Sequence, residues 1–294
     1  MAGDFHLDAG CVRRHFDAAA SSYNSVDMLA RAVAQQMDER LEGILHQPEV
    51  ILDLGCGDGR DLRRLAERYP KALRVGADIA PAMLQLAAPT VGRLQRLIGR
   101  GDRVQLTAAN ASALPFGPSQ FDMLWSNLML NWLDDPAPAL AEMARVMKVG
   151  GMLMFATLGP DTLRELREAF DDAEGTRVHR FIDMHDIGDA LVGAGFSDPV
   201  MDMDTITLTY ADLDRLFADL RLSGSANASA RRSRGLSGKA AWLKARARYE
   251  AMRINGRLPA TFEVVYGHAW KPAPRTTPDG HAIIRFQRRP GGPK

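Results

Sequence analysis

The chain has 294 residues, of which 46% are hydrophobic and 25% charged, and these values are ordinary for a globular protein with a buried core. Two cysteines, Cys11 and Cys56, exclude a disulfide framework and a four-cysteine zinc site, so a reducing cytoplasm is the compartment we expect. Residues 1–8 carry acids and no apolar segment, and no apolar run approaches the ~20 residues of a membrane span. We therefore expect no secretion signal and no membrane association.

The near-neutral net charge of +1 hides a basic segment. Residues 231–257 carry nine Arg or Lys and a single acid, Glu250, which leaves 28 basic and 35 acidic residues elsewhere. A local basic patch on a mildly acidic protein indicates an anionic partner rather than general affinity for nucleic acid. A solvated helix face would give the same pattern, and the sequence leaves both interpretations open.

In chain order, hydrophobic spacing predicts helices first and then a regular alternation of strands and helices. The elements predicted up to residue 157 are helices at 13–20 and 26–45, a strand at 50–54, a helix at 60–68, a strand at 73–78, a helix at 80–87, strands at 104–108 and 121–126, a helix at 137–148 and a strand at 152–157. Those predicted later are helices at 161–170 and 184–194, a strand at 199–210, helices at 212–222 and 239–254, and a strand at 260–270, with flexible segments at 272–278 and 288–294. The alternation predicts an α/β fold with a doubly wound parallel sheet.

The segment Ile51-Leu-Asp-Leu-Gly-Cys-Gly-Asp-Gly59 places a glycine turn between the first strand and a helix. Small residues there let backbone amides approach a ligand beside the helix N-terminus. Dinucleotide enzymes use G-x-G-x-x-G at this place, whereas here the glycines alternate and an acid precedes them. That acid would repel a pyrophosphate and suits the cationic methionine part of S-adenosylmethionine, which is therefore the cofactor we predict. The candidate binding residues of this loop are Asp53, Gly55, Cys56, Gly57 and Gly59.

Further candidates end the next three predicted strands. Asp78, followed by Ile79, could accept both ribose hydroxyls, although it could instead only cap the next helix. Asn110 and Ala111 lie where this fold usually has an acid that contacts adenine, and the Asn carbonyl could accept from the adenine amine. Asn127 is expected to face the methyl-transfer centre, with a loop-capping amide as the alternative.

Together these segments resemble the class I S-adenosylmethionine-dependent methyltransferases, through the glycine loop, Asp78, Asn110-Ala-Ser-Ala-Leu-Pro-Phe116, Phe121-Asp122 and Val146-Met-Lys-Val-Gly-Gly151. Asn110 stands where an acid is usual, and Val149 where Pro is usual. The resemblance implies a Rossmann-like, mostly parallel seven-stranded sheet with helices on both faces, an N-terminal helical lid and a helical insertion before the last strand. The implied segments are a lid at 1–47, a cofactor-binding core at 48–210, the insertion at 211–258, the final strand region at 259–288 and a flexible tail at 289–294.

More narrowly, the chain resembles the malonyl-acyl-carrier-protein O-methyltransferases of biotin synthesis. The segments that carry this are Phe16-Asp-Ala-Ala-Ala-Ser-Ser-Tyr23, Ser126-Asn-Leu-Met-Leu-Asn-Trp132, Leu220-Arg-Leu-Ser-Gly224 and Thr261-Phe-Glu-Val-Val-Tyr266. The resemblance implies methylation of the free carboxylate of malonyl-acyl-carrier protein or malonyl-CoA, with an acyl-carrier protein as partner. It also implies a lid over the cofactor in which Tyr23 is a candidate contact, unless that residue is simply a core tyrosine.

Two other interpretations stay open. Asp161-Thr-Leu-Arg-Glu-Leu-Arg167 and Asp186-Ile-Gly-Asp-Ala-Leu-Val-Gly-Ala-Gly-Phe196 resemble mitochondrial complex I assembly factors of this fold, some of which hydroxylate an arginine of a partner protein. Asn110 mildly favours a cofactor-binding protein without catalysis. The mass of the product separates methylation from hydroxylation, and binding without turnover would favour the third interpretation.

A malonyl carboxylate is already ionised at neutral pH, so the expected reaction needs no general base, only an in-line oxygen about 3 Å from the methyl group in a site without water. No catalytic triad or metal-spaced cluster is apparent in the sequence, and His179 and His185 are predicted to be structural or surface residues. A guanidinium is the natural anchor for the substrate carboxylate, and Arg221 and Arg164 are the candidates. The basic residues at 231–257 could receive an acidic carrier protein.

Overall fold

The computed structural model describes residues 7–90, 104–170, 178–230 and 238–274. Its strands are β1 (Val50–Leu54), β2 (Leu73–Asp78), β3 (Val104–Ala108), β4 (Phe121–Asn127), β5 (Met147–Leu158), β6 (Ser197–Tyr210) and β7 (Leu258–Trp270). Its helices are α1 (Ala9–Ala19), α2 (Tyr23–Val26), α3 (Met28–Arg40), α4 (Arg60–Arg68), α5 (Pro81–Thr90), α6 (Ala137–Val146), α7 (Arg164–Ala169), α8 (Met184–Gly193), α9 (Leu213–Leu222) and α10 (Lys239–Ala251), with a 3₁₀ turn at Leu130–Trp132.

The seven strands form a sheet in the order β3-β2-β1-β4-β5-β7-β6. Strands β1 to β5 pair in parallel, and β7 runs antiparallel to both β5 and β6. The predicted mostly parallel, Rossmann-like sheet is therefore confirmed. The chain order reverses between β1 and β4, and ligands of such sheets bind in the crevice at the carboxyl ends of the strands at this point.

Buried apolar clusters cover both faces of the sheet. One cluster joins the sheet to α3, α4, α7, α9 and α10, through residues such as Met37, Leu65 and Tyr249. The other joins it to α6 and α8, through residues such as Met143 and Leu191. Helix α3 and the helices between β6 and β7 share one cluster and therefore pack in the same layer.

The predicted helix over 26–45 is wrong in its bounds. Asp27 interrupts it, since this residue is 3% exposed and forms ion pairs with Arg60 of α4 and Arg31 of α3. The following helix ends at Arg40, and the backbone N–H of the next residue donates to carbonyls of its last turn. Hydrophobic spacing predicts one helix here, whereas the structure has two, separated at Asp27, which pairs with the distant Arg60.

Three later helices are also shorter than predicted. The helix predicted over 239–254 ends at Ala251, where the N–H of Met252 donates to the carbonyl of Tyr249 at 3.0 Å. The helix predicted over 137–148 ends at Val146, because Met147 already pairs with β4 as the first residue of β5. The helix predicted over 161–170 begins only at Arg164, because Leu163 is left-handed with φ of +54° and its N–H donates to the carbonyl of Thr261 at 2.6 Å.

Among the residues that the model describes, no helix is both long and apolar enough to cross a bilayer. The predicted flexible segment at 288–294 lies outside the described residues, as does the part of 272–278 that begins at residue 275.

Candidate functional site

A cavity of about 590 Å³ opens at the carboxyl ends of β1, β2 and β4, beneath the N-terminal helices and beside α9. Its lining includes the predicted cofactor residues Tyr23, Gly55, Gly57, Asp78, Ile79, Asn110, Ala111 and Asn127, and also the predicted anchor Arg221. The predicted residues outside the lining are Asp53, Cys56, Gly59 and Arg164. The structure thus gathers predicted residues from six separate stretches of the chain around one cavity.

The glycine loop has the backbone shape that its composition predicts. Gly55, Gly57 and Gly59 have φ of +82°, +50° and +74°, a region that side-chain-bearing residues rarely adopt. A Cβ on Gly55 would lie 2.6 Å from the Cβ of Met129, so any larger residue would displace the cavity wall. The N–H of Gly55 donates to the carbonyl of Ala77 at 2.8 Å, which fixes the loop to the end of β2.

Asp78 is held in place by the backbone. The N–H of Gly57 donates to its Oδ2 at 2.9 Å, and the N–H of Ala80, just before α5, donates to its Oδ1 at 2.8 Å. The capping role considered for this acid is therefore present. A carboxylate oxygen can accept more than one hydrogen bond, so both oxygens keep an acceptor position for paired hydroxyl groups.

Four acids, Asp53, Asp58, Asp61 and Asp78, form an acidic cluster beneath and beside the glycine loop. Asp53 is 1% exposed, and its Oδ2 is buried without a hydrogen-bond partner. Burial first, and then the charges of Asp61, Asp78 and Asp58, raise the pKa of Asp53 well above its ordinary value. An unpaired carboxylate is costly to bury, and a cationic ligand would offset that cost. The cluster therefore fits a ligand with ammonium and sulfonium groups and disfavours a pyrophosphate.

Asn127 connects the cluster to the cavity. Its Nδ2 donates to Oδ2 of Asp61 at 3.0 Å and to the carbonyl of Ala30 in α3 at 3.1 Å. Its Oδ1 is buried without a partner, which leaves an acceptor at the cavity wall. Asp61 also accepts from the indole N–H of Trp125 at 2.9 Å. Asp61 was missed by sequence reasoning, since nothing in its helical context marks it as different from a solvated first-turn acid.

The N-terminal helices close over the acidic cluster. Tyr23, the first residue of α2, lines the cavity, and burial together with the charges of Asp58 and Asp61 raises its pKa. Asp17 of α1 accepts from the N–H of Ala82 in α5 at 3.0 Å. With the Asp27 ion pairs, this contact ties the N-terminal segment to the edge of the cofactor crevice.

The remaining predicted cofactor residues differ in their placement. Asn110 is exposed at the edge of the cavity, and its Oδ1 accepts from the N–H of Ser112 at 3.0 Å, which uses one of its acceptor positions. Cys56 is buried with its sulfur against Gly76. Gly59 precedes α4 and lies against α5, where a Cβ would be 3.0 Å from that of Ala87. Cys56 and Gly59 thus shape the loop from outside the cavity.

The two predicted anchor arginines lie in different surroundings. Arg221, near the end of α9, borders the cavity. Arg164 is 60% exposed outside it, 3.9 Å from Asp161 and 3.8 Å from Glu165. In the basic segment, Arg246 forms a bidentate pair with Asp214 at 2.7 and 2.9 Å, and residues 231–237 lie outside the described residues.

His179 and His185 do not share one environment. His185 is exposed beside Asp183, as expected for a surface residue. His179 is 7% exposed, lines the cavity and lies between the rings of Trp132 and Phe181, with centroids 5.1 and 4.6 Å away. Trp132 comes from the turn after β4, far away in the chain, so the sequence around His179 could not have marked it as a site residue.

Comparison with known proteins agrees with this architecture. The model of a methyltransferase domain family matches residues 52–155. The YcgJ protein of Bacillus subtilis has a similar structure, with a TM-score of 0.57, 15% identity and coverage of 83% of this chain and 100% of that one. Phosphoethanolamine N-methyltransferase 2 of Haemonchus contortus, solved with S-adenosyl-L-methionine, gives a TM-score of 0.52 at 16% identity, covering 87% of this chain and 57% of that one. These likenesses concern the fold.

Curated relatives match over nearly the whole chain. Malonyl-acyl-carrier protein O-methyltransferase of Gallionella capsiferriformans is 48% identical over 283 residues, which is 96% of this chain and 97% of the relative. The protein of the same name from Laribacter hongkongensis is 47% identical over 293 residues, covering 97% and 98%. At this identity and coverage, the chain belongs to the malonyl-acyl-carrier protein O-methyltransferase family.

Proposed function

We propose that this protein transfers a methyl group from S-adenosyl-L-methionine to the free carboxylate of a malonyl group, carried as a thioester on an acyl-carrier protein, in biotin synthesis. Relatives named for this reaction align with almost the entire chain, including the cavity-lining segments outside the methyltransferase domain. That full-length match is the observation that carries the proposal, because the fold alone is compatible with many acceptors.

S-adenosyl-L-methionine supplies an electrophilic methyl group on a cationic sulfur. The buried, unpartnered Oδ2 of Asp53 and Oδ1 of Asn127 support binding of its charged methionine end. Asp78, with its oxygens fixed by two backbone amides, is the proposed ribose ligand. Further proposed contacts with the cofactor come from the cavity lining, at Tyr23, Ile79, Asn110 and Ala111. Asp53 lies outside that lining and is proposed to attract the cofactor through its charge.

The chain's task in the transfer step is to position the acceptor oxygen and exclude water. The acceptor carboxylate is an anion at neutral pH, so no side chain has to remove a proton from it. The wall beyond the glycine loop is apolar and includes the rings of Phe170, Phe217 and Trp242, whose centroids lie 5.3 to 6.2 Å apart. An oxyanion held against such a wall loses solvating water and gains reactivity towards a methyl donor.

Arg221 is the proposed anchor for the malonyl carboxylate. It borders the cavity from the helical insertion, and the neighbouring Asp214 is already engaged by the bidentate guanidinium of Arg246. A planar guanidinium can hold a carboxylate through two hydrogen bonds and so fix the direction of its oxygens. Arg164 is the second anchor candidate from the sequence, but it lies outside the cavity lining, so the structure does not support it as the anchor.

An acidic carrier protein is the proposed partner, in a cytoplasmic setting. The exposed side of α10 carries Lys239 and Lys244 beside the cavity-lining Trp242, so a carrier that docks there would bring its thioester arm to the cavity mouth. Docking of this kind depends on exposed charges and therefore weakens as salt screens them.

The test is to incubate the protein with methyl-labelled S-adenosyl-L-methionine and malonyl-acyl-carrier protein. The proposal predicts label on the carrier in a form released by mild base, as expected for a methyl ester. Acetyl-acyl-carrier protein, which lacks the free carboxylate, is the matched control and should stay unlabelled. Mass spectrometry that finds an added oxygen on a protein arginine, with no ester, would instead support the hydroxylase interpretation.

A further inference from the structure

His179 is a buried ring at the cavity wall with a nitrogen that has no partner. The residue is 7% exposed, and its Nε2 makes no hydrogen bond. Its ring is held between Trp132, at the end of the 3₁₀ turn after β4, and Phe181. Buried polar atoms are nearly always hydrogen-bonded in folded proteins, so this nitrogen, in a residue that lines a ligand cavity, points to a ligand group.

The surroundings of His179 keep it neutral. Burial lowers its pKa to about 4, and the positive charge of Arg167 acts in the same direction. The other interaction of the ring is a hydrogen bond with the backbone of Asn131, which favours the protonated form, as a bond donated to a carbonyl does. When the proton is on the ring nitrogen that bonds to Asn131, Nε2 carries a lone pair and can only accept a hydrogen bond.

A neutral acceptor at this wall selects for an N–H or O–H donor. The malonyl carboxylate and the thioester carry only acceptor atoms, so neither satisfies Nε2. The arm that joins a thioester to an acyl-carrier protein contains amide N–H groups a few bonds from the sulfur. We propose that His179 is a positioning residue whose Nε2 accepts a hydrogen bond from an amide N–H of this arm, which holds the thioester while the carboxylate reaches the methyl donor. This inference rests on the proposed function.

Two small substrates that differ by one N–H test it. Malonyl-S-(N-acetylcysteamine) keeps an amide of the arm, and malonyl-S-(2-acetoxyethyl) replaces that N–H with an ester oxygen. Loss of this hydrogen bond leaves the buried acceptor unsatisfied, so we expect wild-type kcat/KM to favour the amide substrate about tenfold. The variants are His179→Phe, which keeps an aromatic ring without an acceptor, and His179→Gln, whose amide oxygen restores one. His185→Gln at an exposed site is the matched control.

The inference predicts that the preference falls to about one in His179→Phe, is largely restored in His179→Gln and is unchanged in His185→Gln, while all variants bind S-adenosyl-L-methionine like the wild type. An unchanged preference in His179→Phe would overturn it while leaving the proposed function intact. A loss of cofactor affinity in both His179 variants, with the preference retained, would overturn it by assigning the imidazole to the cofactor. Failure of the wild type to methylate either thioester or malonyl-acyl-carrier protein would overturn both proposals.

Discussion

Replacing Asp53 with Asn should have opposite effects on the ligand-free protein and on cofactor binding. The side chain is 1% exposed, one of its oxygens has no partner, and burial raises its pKa well above the ordinary 3.8. Removing this charge should stabilise the ligand-free fold, since the charge is buried near other acids. The same change removes the attraction for the cationic end of S-adenosyl-L-methionine, so affinity should fall.

Unit charges about 6–8 Å apart attract each other by about 2–3 kcal/mol at an effective dielectric constant of about 20, so the dissociation constant of the cofactor should rise about 30- to 100-fold. The melting temperature of the ligand-free protein should rise, at about 2–4 °C for each kcal/mol gained. The folded-state pKa of Asp53 is raised, so the free energy of unfolding of the wild type is highest below the ordinary pKa, where Asp53 is protonated in both states. It falls as the pH rises to the raised value and beyond, because the folded protein then has to bury the charge. Cofactor affinity should have the opposite slope, growing as Asp53 loses its proton.

Calorimetric titration with S-adenosyl-L-methionine and thermal unfolding without it, each over a series of pH values, measure both effects. Asp189→Asn on the exposed side of α8 removes the same charge far from the acidic cluster and should change neither quantity. The reasoning is refuted if Asp53→Asn binds the cofactor as the wild type does, or if it lowers the melting temperature of the ligand-free protein.

Gly55→Ala should destabilise the fold by about 1–3 kcal/mol and abolish measurable cofactor binding. The reason is that the new Cβ would lie 2.6 Å from the Cβ of Met129, on a residue whose φ is +82°. A calorimetric titration that shows wild-type binding of S-adenosyl-L-methionine would contradict this. Asp27→Ala should lower the free energy of unfolding by about 1–2 kcal/mol, since it removes the partner of Arg31, which is half exposed, and one of the two partners of Arg60, which keeps Asp58; denaturant unfolding checks the value. Arg221→Ala should raise KM for malonyl-acyl-carrier protein about tenfold or more without changing cofactor affinity, while Arg164→Ala should leave both unchanged. Equal KM effects of the two arginine variants would remove the basis for preferring Arg221.

Much of the fold could be predicted because its central strands are buried on both faces. Short apolar runs that end in glycine or acid, such as Val50–Leu54 and Leu73–Asp78, have few interpretations other than parallel strands. The errors concern boundaries that depend on distant partners. Asp27 ends a helix because of Arg60, and Leu163 adopts a left-handed conformation while bonded to β7, and neither contact is visible in local hydrophobic spacing.

The residues of the candidate site were likewise predictable only in part. Residues on the glycine loop could be proposed from sequence, because consecutive positions shape that part of the cavity. Asp61 could not, since its hydrogen bonds come from Trp125 and Asn127, more than sixty positions away. His179 was expected to be structural or at the surface, and the structure places it at the cavity wall with its ring against Trp132, a residue distant in the chain.

The most direct test of the central claim is the intact mass of malonyl-acyl-carrier protein after a single turnover with S-adenosyl-L-methionine. The account predicts the gain of one methyl group on the malonyl carboxylate, reversed by mild base, and no gain on acetyl-acyl-carrier protein. An unchanged mass of the malonyl carrier, with cofactor binding verified in the same sample, would contradict it.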